Sequence, residues 1–385
     1  MCSEFIDSKP PLSVLRDRQK EYQNSLEANI SPADAAPGSV VAAQTRSHPN
    51  YYYFWVRDGS LVMNEVFESF KAAGRQSSSN KYRKYLEDFV AFTKRIQNEK
   101  TLEGLGEPKF EADGRAFNES WGRPQSDGPA LRAMTLVKFA NELIARGEES
   151  YVRAELYDGK WPDPQSPIKR DLEYIVKNWE KDTWDAWEEI RGFHFYTRVM
   201  QIKALEAGGR LARALGDTGA ASTYQQTAAK ISSALEDHWD IAKGHLVENI
   251  GRTAGLTTKE NGLDALTILA TLHGYDTGAG PRPSDPKVLA TARAMIEMFR
   301  ANYEINKDAD KAVAIGRYKE DVWFGGNPWP LATYAFGEFY YRTALDFQVA
   351  KKIIVRPESA AFFAQLLEGF PEAAAVKADM TLGPA

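Results

Sequence analysis

Apolar residues recur at helical spacing in one segment after another, and that repetition constrains this chain more than any other feature. Segments with the helical period run over 12–30, 57–74, 81–97, 127–147, 168–179, 195–216, 221–239, 259–274, 286–303, 328–345 and 357–370. The clearest is 127–147, with Asp127 expected as its N-cap and Gly147 as the residue just past its end. Segments 195–216 and 221–239 read as a hairpin pair. The loops between segments differ widely in length, and no convincing strand alternation appears. The expected class is all-α, an α/α-toroid in which helix pairs pack around an axis and the site lies at one mouth. A simple solenoid does not fit, because the sequence has no fixed repeat. A toroid of six pairs needs twelve helices, and the periodic segments supply about eleven.

Composition narrows the function classes. With 385 residues and 43% hydrophobic content, the chain can bury a large core. The net charge of -5 and the lack of a basic block give no footprint for nucleic acid. No apolar run is long enough for a membrane helix, and the first residues, "MCSEFIDSKPPLSVL", lack the apolar core of a signal peptide. Cys2 is the sole cysteine, so an internal disulfide and a cysteine metal site are excluded. The five histidines lack zinc spacing. "GLGEP" (104–108) lacks the strand context of a dinucleotide loop, and no P-loop or nucleophile elbow occurs. Carboxylate chemistry survives, with no cofactor or metal expected.

Four loops combine aromatic residues with carboxylates or arginines. In "NYYYFWVRDGS" (50–60), Asp58 either caps the following helix or joins Arg57 in gripping vicinal hydroxyls. In "ESWGRPQSDGPALRA" (119–133), Trp121 precedes a rigid turn; Arg123 reads as loop-fixing and Trp121 as core, though neither explains a large aromatic in so polar a turn. "DAWEEIRGFHF" (185–195) places Glu188 and Glu189 side by side next to Trp187, as an acid or as a charged turn. "VAIGRYKEDVWFGGNPWPL" (313–331) gathers Arg317, Glu320, Asp321, Trp323 and Trp329. A solvated loop normally avoids two tryptophans.

Five stretches in order, "YYYFWVRDGSLV" (51–62), "GLGEPKF" (104–110), "SWGRPQSDGPALRA" (120–133), "WDAWEEIRG" (184–192) and "AVAIGRYKEDVWFGGNPW" (312–329), resemble the glucoamylases, glycoside hydrolases of family fifteen. The resemblance runs from about residue 10 to residue 370. It implies a six-pair α/α-toroid over residues 1–385 as one catalytic domain, without a starch-binding domain and monomeric if complete. It implies exo-hydrolysis of α-1,4-linked glucans or maltooligosaccharides from the non-reducing end, releasing β-glucose with inversion. Carried over by position, Glu188 is the general acid and Glu189 a substrate-binding carboxylate. Arg57 and Asp58 hold the terminal sugar's hydroxyls, Tyr51 and Trp121 shape the first subsites, and Arg317 binds sugar. Asp185 is an acid near the catalytic glutamate, and Trp329 lines the mouth.

A general acid must keep its proton at the working pH. Apolar cover from Trp187 and Phe193 and repulsion from Glu189 or Asp185 favour that state. Arg191 stands where the family usually has asparagine and is expected to point away from Glu188. Inversion also needs a second carboxylate, roughly 6.5–9.5 Å from the first, to activate water. The late glutamates, Glu338, Glu358, Glu368 and Glu372, lack the surroundings of the family's base. A truncated chain is therefore expected, short of its base and its closing helix, in keeping with the helix count. The alternatives are a non-catalytic relative that binds glucan and a chain in which another carboxylate stands in for the base.

Overall fold

The computed structural model describes residues 12–74, 76–160, 164–275, 278, 280–308, 312–367 and 376–382. The chain divides into two compact units, residues 1–120 with 135–170 and residues 121–134 with 171–385.

The first unit holds α1 (Leu12–Glu27), α2 (Val56–Ala73) and α3 (Ser78–Asn98). Strands β1 (Tyr53–Trp55) and β2 (Lys109–Glu111) pair antiparallel, with Phe54 opposite Phe110. Helix α4 (Asp127–Ala145) ends in this unit and is followed by the single turn α5 (Glu149–Tyr151) and a short π-helix, Val152–Leu156. Its core is aromatic. Phe54 meets Phe92 edge-on at 4.9 Å between ring centres, and Phe70 meets Phe139 at 5.8 Å.

Helix α6 (Pro167–Asn178) ends in the second unit, which contains α7 (Phe195–Ala214), α8 (Thr218–Leu235), α9 (Leu266–His273), α10 (Pro286–Asn302), α11 (Pro330–Ala350) and α12 (Ala360–Leu366). Helix α7 is buried over most of its circumference, with the polar Thr197, Arg198, Gln201 and Lys203 among its buried residues. Gly208 lets it approach α6 closely, because a Cβ there would lie 2.3 Å from a methyl of Leu172. Asp217 caps α8 by accepting from the Ala220 N–H at 3.3 Å. Asp285 caps α10, and Pro286 occupies its first turn. The buried Arg132 and Asp171 join in a two-pronged ion pair at 2.8 and 2.6 Å.

The helical segments largely fall where the periodicity puts them, with three differences. The expected helix at 259–274 begins only at Leu266. Gly262 has φ +77°, and Asn261 and Asp264 accept from the backbone N–H groups of Leu263 and Leu266, so 259–265 is a loop. The last periodic segment, 357–370, is helical at Ala360–Leu366, and 368–370 lie outside the described residues. Strands missing from the sequence pattern also occur: β3 (Thr183–Trp184), β4 (Ile190–His194), β5 (Trp239–Asp240), β6 (His245–Leu246), β7 (Asn249–Gly255), β8 (Ile353–Ile354) and β9 (Thr381–Leu382). Most span two residues, too short for alternation to register. Strands β3, β4 and β7 form an antiparallel sheet in that order.

Candidate active site

The "DAWEEIRGFHF" stretch is a hairpin. Strands β3 and β4 pair with Thr183 opposite Gly192, and residues 185–189 are the loop between them. Asp185 builds that loop. Its N–H donates to the Ile190 carbonyl at 2.9 Å, and its carbonyl accepts from the Glu188 N–H at 2.9 Å. One carboxylate oxygen accepts from the N–H groups of Glu189 and Ile190 at 2.6 and 3.1 Å. Fully buried, Asp185 thus holds the turn from inside. Glu188 sits at the tip with φ +67°, a left-handed conformation that costs a non-glycine residue on the order of 1–2 kcal/mol. Gly255 of β7 lies directly over the loop. A Cβ there would come 2.1 Å from the Glu189 carbonyl oxygen, and Gly255 has φ +88°, so only glycine fits.

Two N–H groups converge on Glu188. The Trp121 indole Nε1–H donates to Oε1 at 2.8 Å, and the Gln125 Nε2–H donates to the same oxygen at 2.9 Å. Their loop is pinned to the hairpin. The Pro124 carbonyl accepts from the Trp184 N–H and the Thr183 hydroxyl, both at 2.9 Å, and the Thr183 hydroxyl oxygen accepts from the Ser126 N–H at 3.0 Å.

Glu189 faces a different environment. Arg317 Nη1 lies 2.9 Å from its Oε1, the Tyr318 hydroxyl donates to Oε2 at 2.7 Å, and Lys259 Nζ lies 3.3 Å from Oε2. Arg317 also grips Asp321 with two prongs at 2.8 and 2.5 Å. The Arg317 guanidinium stands 4.9 Å from the Trp329 ring centre and 5.4 Å from that of Trp187, and the two indoles are 6.0 Å apart. Trp187 is tied down by its own Nε1–H, which donates to Asp264 at 2.8 Å.

The electrostatics follow from this crowding. Burial by itself would lower the Arg317 and Lys259 pKa values. Asp321 and Glu189 outweigh it for Arg317, and Asp264, Asp185 and Glu189 outweigh it for Lys259, so both cations are held above their ordinary range. Burial, then the bond to Glu189, pushes the Tyr318 phenol far up. Glu248, fully buried and facing the charges of Asp264 and Asp185, is pushed well above the usual carboxylate range. Buried His194 is pushed down by burial; its Nε2 lies 2.9 Å from the Thr183 carbonyl.

A family model, "Glycosyl hydrolases family 15", matches residues 16–381. The chain belongs to this family. A glucoamylase of Blastobotrys adeninivorans is 38% identical over 348 residues, covering 87% of this chain and 55% of that protein. The chain thus spans little more than half the length of that relative. The solved family 15 glucoamylase of Hypocrea jecorina superposes with a TM-score of 0.83 at 30% identity, over 100% of this chain and 61% of that one. The glucoamylase of Saccharomycopsis fibuligera gives 0.84 at 29%, over 97% of this chain and 82% of that one. The all-α class expected from the sequence holds, and these family 15 neighbours are (α/α)6 barrels.

Of the residues that the family resemblance singles out, Trp121, Asp185, Glu188, Glu189, Arg317 and Trp329 belong to the second unit. There Trp121 meets Glu188, and Arg317 meets Glu189 and Trp329. Tyr51, Arg57 and Asp58 belong to the first. Tyr51 meets Trp55 edge-on at 6.1 Å, and Arg57 and Asp58 lie in the first turn of α2. The cap position of α2 is Trp55, so Asp58 is not the cap residue. Arg191 pairs with Asp182 at 3.0 Å, and Glu188 is held instead by Trp121 and Gln125. Gln125, Lys259, Asp264 and Tyr318 escaped the sequence reading. Gln125 and Tyr318 stand inside quoted motifs, whereas Lys259 and Asp264 were hidden in a segment whose period read as helix. Among the described residues, no group of three or more histidine, cysteine or acidic side chains is placed to hold a metal ion.

Proposed function

We propose that this family 15 chain binds the non-reducing end of α-1,4-linked glucans and donates a proton to the glucosidic oxygen from Glu188. The observation that supports this most is the division of labour between adjacent glutamates. Glu188 accepts from the Trp121 indole and the Gln125 amide, while Glu189 is clamped by Arg317 and Lys259. Two N–H groups on Oε1 make that atom the carbonyl-like oxygen of an acid, so the transferable proton is carried on Oε2. Glu189, set between two cations, accepts from sugar hydroxyls, with Arg317 as the matching donor. Trp121, Trp187 and Trp329 offer flat apolar faces to sugar rings. Asp185 shapes the turn that carries both glutamates.

Release of β-glucose by inversion belongs to the same proposal. It requires an opposing carboxylate that activates water, and none of the described residues is assigned that role. The test is glucose release from maltose and starch, beside maltotriose binding by calorimetry. Hydrolysis that falls at least about 10²-fold in Glu188→Gln supports the acid role. Binding without hydrolysis supports a glucan-binding relative, the second reading. No binding contradicts both.

A further inference from the structure

Lys259 is a buried ammonium whose contacts reach beyond its clamp on Glu189. Its side chain is 3% exposed. Nζ lies 3.1 Å from Asp264, 3.3 Å from Glu189, 3.5 Å from Asp185 and 3.7 Å from the centre of the Tyr318 ring. Each of these neighbours does something definite at the site. Asp185 holds the turn by its backbone N–H groups, Asp264 holds the Trp187 indole, and Tyr318 donates to Glu189. One cation therefore ties together three separate stretches of chain around Glu188: the hairpin loop, the loop before α9 and the segment that starts at Arg317.

Charge makes the arrangement directional. Asp185, Glu189, Asp264 and Asp321 bring four carboxylates into a cluster whose cations are Lys259 and Arg317, with Glu248 buried beside them. Arg317 already serves Glu189 and Asp321. Without Lys259, Asp185 and Asp264 lose their nearest cation, and a buried group of carboxylates so deprived takes up a proton. Glu189 shares Oε2 with Lys259 and is coupled to that uptake.

We propose that Lys259 is the positioning residue of the Glu188–Glu189 turn, holding Asp185, Glu189 and Asp264 in place so that Glu189 and Trp187 meet the sugar in fixed orientation. The proposal rests on the sugar-binding reading of the turn and deepens it. Lys259 acts through its neighbours, so its signature is a changed pH profile.

The experiment compares the full chain with Lys259→Met, close in length but uncharged, and Lys259→Arg. Maltotriose binding is followed by calorimetry from pH 4 to 8, and thermal unfolding over the same range. Lys259→Met is expected to bind at least about tenfold more weakly at pH 7, with the acid limb of its binding profile moved up by at least about one pH unit. Lys259→Arg is expected to restore the limb to its original position. A folded Lys259→Met with affinity within twofold and an unmoved limb overturns the proposal. If the parent chain binds no sugar, the sugar-binding reading fails, and Lys259 is judged from unfolding alone. Carboxylates pushed up in the folded variant stabilise it as pH falls, so Lys259→Met should gain in midpoint from pH 7 to 5.5 relative to the parent. Parallel profiles of parent and variant overturn the proposal there too.

Discussion

The hairpin loop at 185–189 and the outer face of α11 lie in one unit and treat water in opposite ways. Around the loop, charge is buried: Asp185 is fully buried, Asp264 is 1% exposed and Arg317 4%. On α11, apolar side chains face outward: Tyr334 is 71% exposed, Tyr341 78% and Val349 83%, with Leu331 and Leu345 on the same stripe. Buried charge is tolerable only where each group has partners, and at the loop each carboxylate has an N–H, an ammonium or a guanidinium. Such bonding fixes geometry more than it adds stability. An apolar stripe in water carries neither benefit and marks contact surface rather than core. The difference separates two kinds of mutational sensitivity, and four substitutions probe it.

The largest effect is expected from Arg317→Ala. It leaves the buried Asp321 without its cation and Glu189 with Lys259 alone, which costs about 3–5 kcal/mol. Denaturant unfolding measures it, and a loss below about 1 kcal/mol would show that the cluster admits water. Gly255→Ala is next. A methyl 2.1 Å from the Glu189 carbonyl at φ +88° displaces the loop, with an expected loss of about 1–3 kcal/mol and weaker sugar binding.

Glu248→Gln gives a smaller effect whose sign depends on pH. Its carboxyl is pushed up in the fold, so its contribution is fully present below the ordinary value near 4.5 and is lost as pH rises through the folded value. The glutamine variant should therefore match the parent near pH 4 and exceed it at pH 7–8. Unfolding curves that stay parallel across this range would break the assignment. Smallest is Tyr341→Glu on α11, expected to change stability by no more than about 0.5 kcal/mol. A larger loss would mean that the exposed stripe is structurally engaged.

Sequence carried the helices and the family, but not all of the site. The long amphipathic segments 127–147 and 195–216 are legible because a period of 3.6 repeats several times over their length. The five motifs placed Trp121, Glu188, Glu189 and Arg317 in one chemistry, and the structure brings Trp121 onto Glu188 and Arg317 onto Glu189. Lys259 and Asp264 were illegible for a local reason. "KENGLDALTIL" has helical spacing, and only the side-chain bonds of Asn261 and Asp264 reveal that the helix waits until Leu266. Strands β3 and β4 escaped because pairing across a five-residue loop depends on a carboxylate, Asp185, turned inward. Its burial is a tertiary fact, and in the sequence Asp185 looks like any acidic neighbour of Glu188.

The measurement closest to the central claim is maltotriose affinity in the parent chain, Glu188→Gln and Glu189→Gln. If Glu188 gives a proton and Glu189 holds sugar, Glu188→Gln should bind within about threefold of the parent. Glu189→Gln should bind at least about tenfold more weakly, or about 1.4 kcal/mol. Equal affinity in all three, or a loss confined to Glu188→Gln, would contradict the division of roles between the two glutamates.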